Sequence, residues 1–159
     1  MDDNSKIRKI IKTTLNEWLN EQNIKNMKFY HGTTKDKKEN ILKNGFISNY
    51  YIQQGLYGNG VYFYDNLDDV QFYNKGGIVE VNLTTNKNIL TIDDDYDLIQ
   101  KISEYDSDAE LYYEENGITY EFGENYVQPF IENNKINALY IKDTHILVIF
   151  NTKIINIIK

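Results

Sequence analysis

The chain has no cysteine in 159 residues. Disulfides, thiolate nucleophiles and cysteine-ligated zinc or iron–sulfur sites are thereby excluded together, and two histidines are too few for an all-histidine metal site. At this length one domain is expected, burying roughly two-thirds of the surface that the unfolded chain exposes. It should span 1–159, with an N-terminal helix within 1–26 and the core in 27–159. No apolar run approaches the roughly 20 residues of a membrane span, and Met1-Asp2-Asp3-Asn4 lacks the basic and apolar regions of a signal peptide. Fourteen tyrosines stand against one tryptophan and one proline. Tyrosine offers both a stacking face and a hydroxyl.

Charge divides along the chain. Residues 1–45 carry ten Lys/Arg against six acids, whereas Asp93 to Glu124 holds twelve acids and only Lys101. With a formal net charge of −7, most of the surface repels phosphate backbones, and a nucleic-acid partner is not expected. The acidic stretch reads as a solvated helix and loop, or as a docking surface for a basic partner. The spacing of its acids does not match a calcium-binding EF-hand loop.

Ile7, Ile10, Ile11, Leu15, Trp18 and Leu19 recur at helical spacing behind Asn4 or Ser5, which predicts an amphipathic helix over 5–23. Its stripe should pack on the domain; a partner or a membrane surface are the alternatives, the latter through Lys6, Arg8, Lys9 and Lys12. A strand over 27–33 is followed by a short helix ended by Asn44-Gly45. Further on come a glycine-spaced segment (55–60), a strand over 61–64, a helix over 66–74, a turn at Gly76-Gly77 and a strand over 78–83. Asp94 or Asp95 is placed to cap a helix carrying Leu98, Ile99 and Ile102, and a second helix near 125–133 must accommodate Pro129. Strands over 138–141, 146–150 and 154–158 close the chain. Without regular βαβ alternation, the class is α+β.

Two segments carry chemistry: Phe29-Tyr30-His31-Gly32-Thr33-Thr34, and Gly58-Asn59-Gly60-Val61-Tyr62-Phe63 followed by Tyr73. Singly, each has a structural explanation, as a polar turn at a strand end or a bulge at a tight corner. A strand follows Gly58-Asn59-Gly60 where a dinucleotide-binding fingerprint needs a helix, so a Rossmann site is rejected. Together the segments resemble the ADP-ribosyltransferase family, in the branch shared by diphtheria toxin and the poly(ADP-ribose) polymerases. Tyr30-His31-Gly32-Thr33 is similar to its first motif. Gly58 to Phe63 is similar to the polymerase pattern Gly-Lys-Gly-Ile-Tyr-Phe, and Tyr73 lies eleven residues beyond Tyr62, the spacing of that group's two nicotinamide-stacking tyrosines.

The resemblance implies an α+β fold with a split β-sheet core, flanking helices and an N-terminal helix. It also implies that NAD is the substrate, with no metal. Tyr62 and Tyr73 would face the two sides of nicotinamide, each stacked pair adding roughly 0.5–1.5 kcal/mol beyond area burial. Gly32 would bond the carboxamide through its backbone, His31 would bond the adenosine ribose, Thr33 would add a hydroxyl there, and Gly60 belongs to the same NAD-binding set.

Two departures stand out. The polymerases have a carboxamide-binding serine three residues before the second tyrosine, where this chain has Val70. The family's third motif opens a late strand with a glutamate that steadies the developing ribosyl cation, and Ile146 falls there; a second register offers Asn137 or Ala138. A carboxylate about 4 Å from that cation contributes about 1 kcal/mol in water and about 4 kcal/mol at an effective dielectric of 20, up to about a thousandfold in rate. Some relatives with an apolar residue there transfer a single ADP-ribose, the acceptor's carboxylate assisting. Alternatively Glu121, Glu124 or His145 reaches in, or the site binds without turnover. The expected function is mono-ADP-ribosyl transfer from NAD to a macromolecule, most simply a protein, with a binding module and an NAD glycohydrolase as alternatives. A short chain of this kind resembles a toxin or effector, cytoplasmic in the producing cell or delivered into a target cell.

Overall fold

The computed structural model describes residues 24–47 and 51–159; the helix expected over 5–23 lies outside them. Strand β1 (Phe29–Thr34) alternates buried and half-buried residues, as period-two patterning requires of a strand with one face in the core. Thr34 ends it and caps α1 (Lys35–Asn44), its hydroxyl accepting from the Lys37 N–H, and Gly45 closes the helix at φ 77°. A positive φ of this kind favours glycine.

Next comes a hairpin, β2 (Gln53–Gly55) and β3 (Gly58–Tyr64), joined by Leu56-Tyr57 with Gly55 opposite Gly58. The helix expected over 66–74 is a single turn, α2 (Leu67–Val70), continued by a 3-10 turn, Gln71–Tyr73. Gly76-Gly77 is not a turn: β4 (Gly76–Leu83) starts there, pairing Gly76 with Thr34 and Gly77 with Thr33. Strand β5 (Ile89–Ile92) leads to α3 (Asp95–Tyr105), capped by Asp94, and α4 (Asp108–Asn116). A helical run then joins α5 (Tyr120–Phe122), a π turn (Gly123–Val127) and α6 (Gln128–Asn133). Pro129 lies in the first turn of α6, directly after the π turn, so it falls where the helical bonding pattern changes. β6 (Ala138–Ile141), β7 (Ile146–Ile149) and β8 (Ile155–Ile157) complete a sheet ordered β5-β6-β7-β3-β1-β4-β8, with β2 on β3. All its pairings are antiparallel except β5–β6, and the class is α+β.

The sheet separates two apolar layers. Phe29, Val61, Phe63 and Leu147 pack on the α1 side with Ile41 and Phe46. Leu139, Ile141 and Val148 pack on the other side with Leu98, Ile99, Ile102 and Phe122 from the later helices. Fully buried Phe29 and Phe63 each contribute roughly 1.5–3 kcal/mol by leaving water.

One pairing differs from the rest. β1 pairs with β4 from Phe29 to Thr34, but with β3 only where Tyr30 meets Tyr64. Past that point the ladder between the two halves of the sheet stops, and a cavity lies there.

The π turn supports this opening from outside. A Cβ on Gly123 would collide with the Gly55 carbonyl and lie 2.9 Å from the Leu56 carbonyl, both backbone atoms of the hairpin. Helix propensity favours alanine over glycine by up to about 1 kcal/mol. Overpacking against rigid backbone costs about 1–3 kcal/mol and should win. Gly123→Ala is expected to lower the thermal unfolding midpoint by several degrees in calorimetry, whereas an unchanged or raised midpoint contradicts this packing.

Candidate functional site

His31 spans the gap between β1 and β3. Its Nδ1 lies 2.9 Å from the Tyr62 carbonyl, so a side chain supplies a bond where the backbone ladder stops. A carbonyl only accepts, so Nδ1 carries the proton and Nε2 is left as an acceptor in the neutral ring. Burial, opposed by the Tyr62 carbonyl and reinforced by the Lys37 charge, lowers the imidazole pKa below its ordinary 6.5. His31 is therefore neutral at pH 7.

Gly32 follows, where a Cβ would lie 2.8 Å from the backbone and Cβ of Tyr73. Only a residue without a side chain lets the 3-10 turn close over β1 here. This brings Tyr73 to the cavity although α2 and its continuation amount to only about two turns.

The cavity has two lobes that share His31, Gly32, Gln53 and Tyr73. The aromatic lobe, about 230 Å³, is walled by Tyr57, Tyr62, Tyr64, Tyr73 and Tyr120, with Ile146 at one side. The polar lobe, about 200 Å³, is lined by Thr33, Thr34, Lys37 and Lys75. Neither lobe alone reaches the roughly 300 Å³ at which small-molecule sites begin; together they exceed it.

Tyr62 is fixed at both ends. Its ring packs against Gly55, where a Cβ would overlap the phenol, and its hydroxyl donates to the Gly58 carbonyl at 2.6 Å while accepting from the Tyr57 N–H at 3.2 Å. Burial pushes its pKa up, so the hydroxyl stays protonated. The Gly58-to-Gly60 segment thus serves the hairpin that orients Tyr62. Gly60 itself is buried against β7, where an added Cβ would lie 2.7 Å from Val148, and it is absent from both cavity linings.

Of the other residues singled out in the sequence, Gly32, Thr33, Tyr73 and Ile146 line the cavity. Ile146 opens β7 opposite Tyr64. Glu121 and Glu124 are exposed and line neither lobe; Glu121 accepts from the Tyr112 hydroxyl at 3.1 Å. His145, at φ 62°, directs Nδ1 to Asp65 at 3.0 Å, and Asp65 also accepts from the Tyr140 hydroxyl. That cluster ties the end of β3 to the β6–β7 turn. Val70 is fully buried.

Several lining residues were not singled out in the sequence. Tyr64 stacks on Tyr73, with centroids 5.4 Å apart and planes 17° apart, so it backs one face of that ring. Its position two residues after Tyr62 on a strand was the available signal. Gln53 and Gln54 come from β2, whose three residues are too few to show alternation. Tyr120 arrives from the far helical run. Tyr57 donates to Asp95 at 2.9 Å, and burial, with Asp94 and Asp143 nearby, raises the Asp95 pKa.

A neutral buried His31 makes acid destabilising. Because its folded pKa lies below the unfolded value, the unfolded chain binds the proton more readily. Its contribution is therefore intact above about pH 6.5 and lost as pH falls toward the lowered folded value. His31→Gln, which retains an N–H donor, should flatten this part of the stability profile in denaturant titrations between pH 7 and 5. An equal pH dependence in both proteins would contradict the assignment. Compared with known proteins, the chain matches no family model, no curated protein and no solved structure.

Proposed function

We propose that the protein is a mono-ADP-ribosyltransferase that moves ADP-ribose from NAD to a protein acceptor and releases nicotinamide. The observation that carries this reading is the convergence of two segments some thirty residues apart in sequence. His31 and Gly32 from β1 meet Tyr62 from β3 and Tyr73 from the following turn around one aromatic lobe. The split between β1 and β3, the flanking helices and the two-lobed cavity support an ADP-ribosyltransferase-type fold.

The residues then have distinct tasks. Tyr62, held rigid by the hairpin, and Tyr73, backed by Tyr64, offer aromatic faces to nicotinamide. The Gly32 backbone offers an N–H and a C=O to the carboxamide. Nε2 of neutral His31 accepts from a ribose hydroxyl, holding the dinucleotide bent. The bond from ribose C1 to the pyridinium nitrogen breaks with its electron pair going to nitrogen, which leaves as neutral nicotinamide. The ribosyl cation is captured by the acceptor. A carboxylate acceptor has no proton to lose and brings the negative charge that Ile146 does not supply, so no protein base is required. The acidic 93–124 surface offers a place for a basic partner, and the expected setting is the cytoplasm of the producing or of a target cell.

A second reading is a module that binds NAD or ADP-ribose without turnover. It is favoured by one observation: no carboxylate lines either lobe among the described residues.

Incubation with labelled NAD and a cell lysate tests the proposal. Label on a discrete protein band, reduced at least tenfold by Tyr62→Ala, is the expected outcome. Nicotinamide release without labelled protein would indicate a glycohydrolase, and binding without either product would leave the module. Absence of NAD binding in calorimetry would overturn the nucleotide reading altogether.

A further inference from the structure

The wall of the aromatic lobe is backed by a charge. Tyr57 is a buried lining residue, and its hydroxyl donates to the Asp95 carboxylate at 2.9 Å. The Tyr57 backbone N–H donates to the Tyr62 hydroxyl, so one residue joins Asp95 to another ring of the lobe. Thr144, two residues before Ile146, is a further polar neighbour of the Tyr57 hydroxyl.

Helix α3 does not need the Asp95 carboxylate. Asp94 is its cap and accepts from the Asp97 N–H, whereas Asp95 reaches across 38 positions of sequence to Tyr57. Asp95 takes part in none of the salt bridges found among the described residues, and the ammonium of Lys142, next to Asp143 in sequence, faces Asp93. The neighbouring charges that act on Asp95 are those of Asp94 and Asp143, both negative. A half-buried carboxylate with like-charged neighbours and no cationic partner is costly to keep. A positive charge arriving in the lobe would relieve it. The lobe is walled by five phenol rings, and the faces of such rings attract cations.

We propose that the aromatic lobe selects a cationic ring, with Asp95 acting through Tyr57 as its counter-charge. Asp95 is a positioning residue, since Tyr57 and not Asp95 lines the lobe. Assigning that ring to pyridinium rests on the dinucleotide reading above. The proposal then gives product release a cause: the ring of NAD enters as a cation and ends as neutral nicotinamide, which the lobe holds less tightly. Across roughly 10 Å, the span of a phenol and its hydrogen bond, one charge at an effective dielectric of about 20 changes a cation's affinity about tenfold.

Calorimetric titration with 1-methylnicotinamide, a permanent cation, and with nicotinamide, its neutral counterpart, tests this. The wild type should bind the cation about tenfold more tightly. Asp95→Asn should weaken the cation about tenfold and leave nicotinamide within twofold, because asparagine keeps an acceptor for the Tyr57 hydroxyl and removes only the charge. A merely structural Asp95 would lower both affinities together. Tyr57→Phe, which breaks the link, should lose the same preference, and the double variant should lose no more than either single one.

Asp95→Asn also relieves the repulsion from Asp94 and Asp143, so its unfolding midpoint should not fall, and the wild-type comparison stands whether or not a variant folds. Equal affinities for the two probes in the wild type, or binding of neither, would overturn the proposal. So would a cation preference that survives Asp95→Asn, or a loss shared equally by both probes. Binding of 1-methylnicotinamide without binding of NAD would keep the cationic site and defeat the dinucleotide reading; NAD binding with no preference between the two probes would do the reverse.

Discussion

The architecture of the candidate site depends on one interrupted ladder. Between β1 and β3 the backbone pairs only at Tyr30 and Tyr64, although β1 is paired with β4 along its whole length and β3 with β7 from Val61 to Tyr64. Buried backbone groups require partners, and where the ladder stops the His31 imidazole takes the Tyr62 carbonyl. A sheet interior that would otherwise be continuous thereby becomes a walled opening. The strong pairing of β1 with β4 and of β3 with β7 keeps the two halves from closing it.

The central walls of the opening are held from behind. Gly32 admits the Tyr73 turn, Gly55 admits the Tyr62 ring, and Gly123 admits the hairpin backbone. Three close approaches, each at a residue without a side chain, draw elements distant in sequence around one volume. Tyr64 then backs Tyr73, leaving aromatic surfaces with little freedom, a preorganisation that lowers the ordering cost of binding a flat ligand.

Charge is segregated just as clearly. The acids of 93–124 lie mainly exposed on α3, α4 and the following segment, while the cavity has lysines at one end and phenols at the other. Tyr120 and the Tyr57–Asp95 contact are where the acidic helices meet the cavity wall. An anionic ligand would thus be drawn to the polar lobe and repelled elsewhere, which orients it before any contact is made.

Much of this was legible locally. Thr34 as a cap, Gly45 as a stop, Asp94 as the cap of α3 and the apolar runs of the last strands are near-neighbour effects, and the sequence alone determined them. The proximity of the first motif to Tyr62 and Tyr73 was expected from a resemblance in spacing, and the fold does bring them together. Other features were not readable. Gly76-Gly77 looked like a turn because glycine is permissive, yet β1 recruits it as strand. The roles of Gly60 and Gly123 are set by which backbone approaches them. Tyr64, Gln53 and Tyr120 reach the cavity only through strand pairing and helix docking. Local propensity is set within a few residues, whereas a cavity is made by chain segments far apart meeting in space. The sequence by itself therefore determined the elements and the candidate aromatic residues. Only the tertiary structure decided where the sheet opens, which side chains line the gap, and that no described carboxylate is among them.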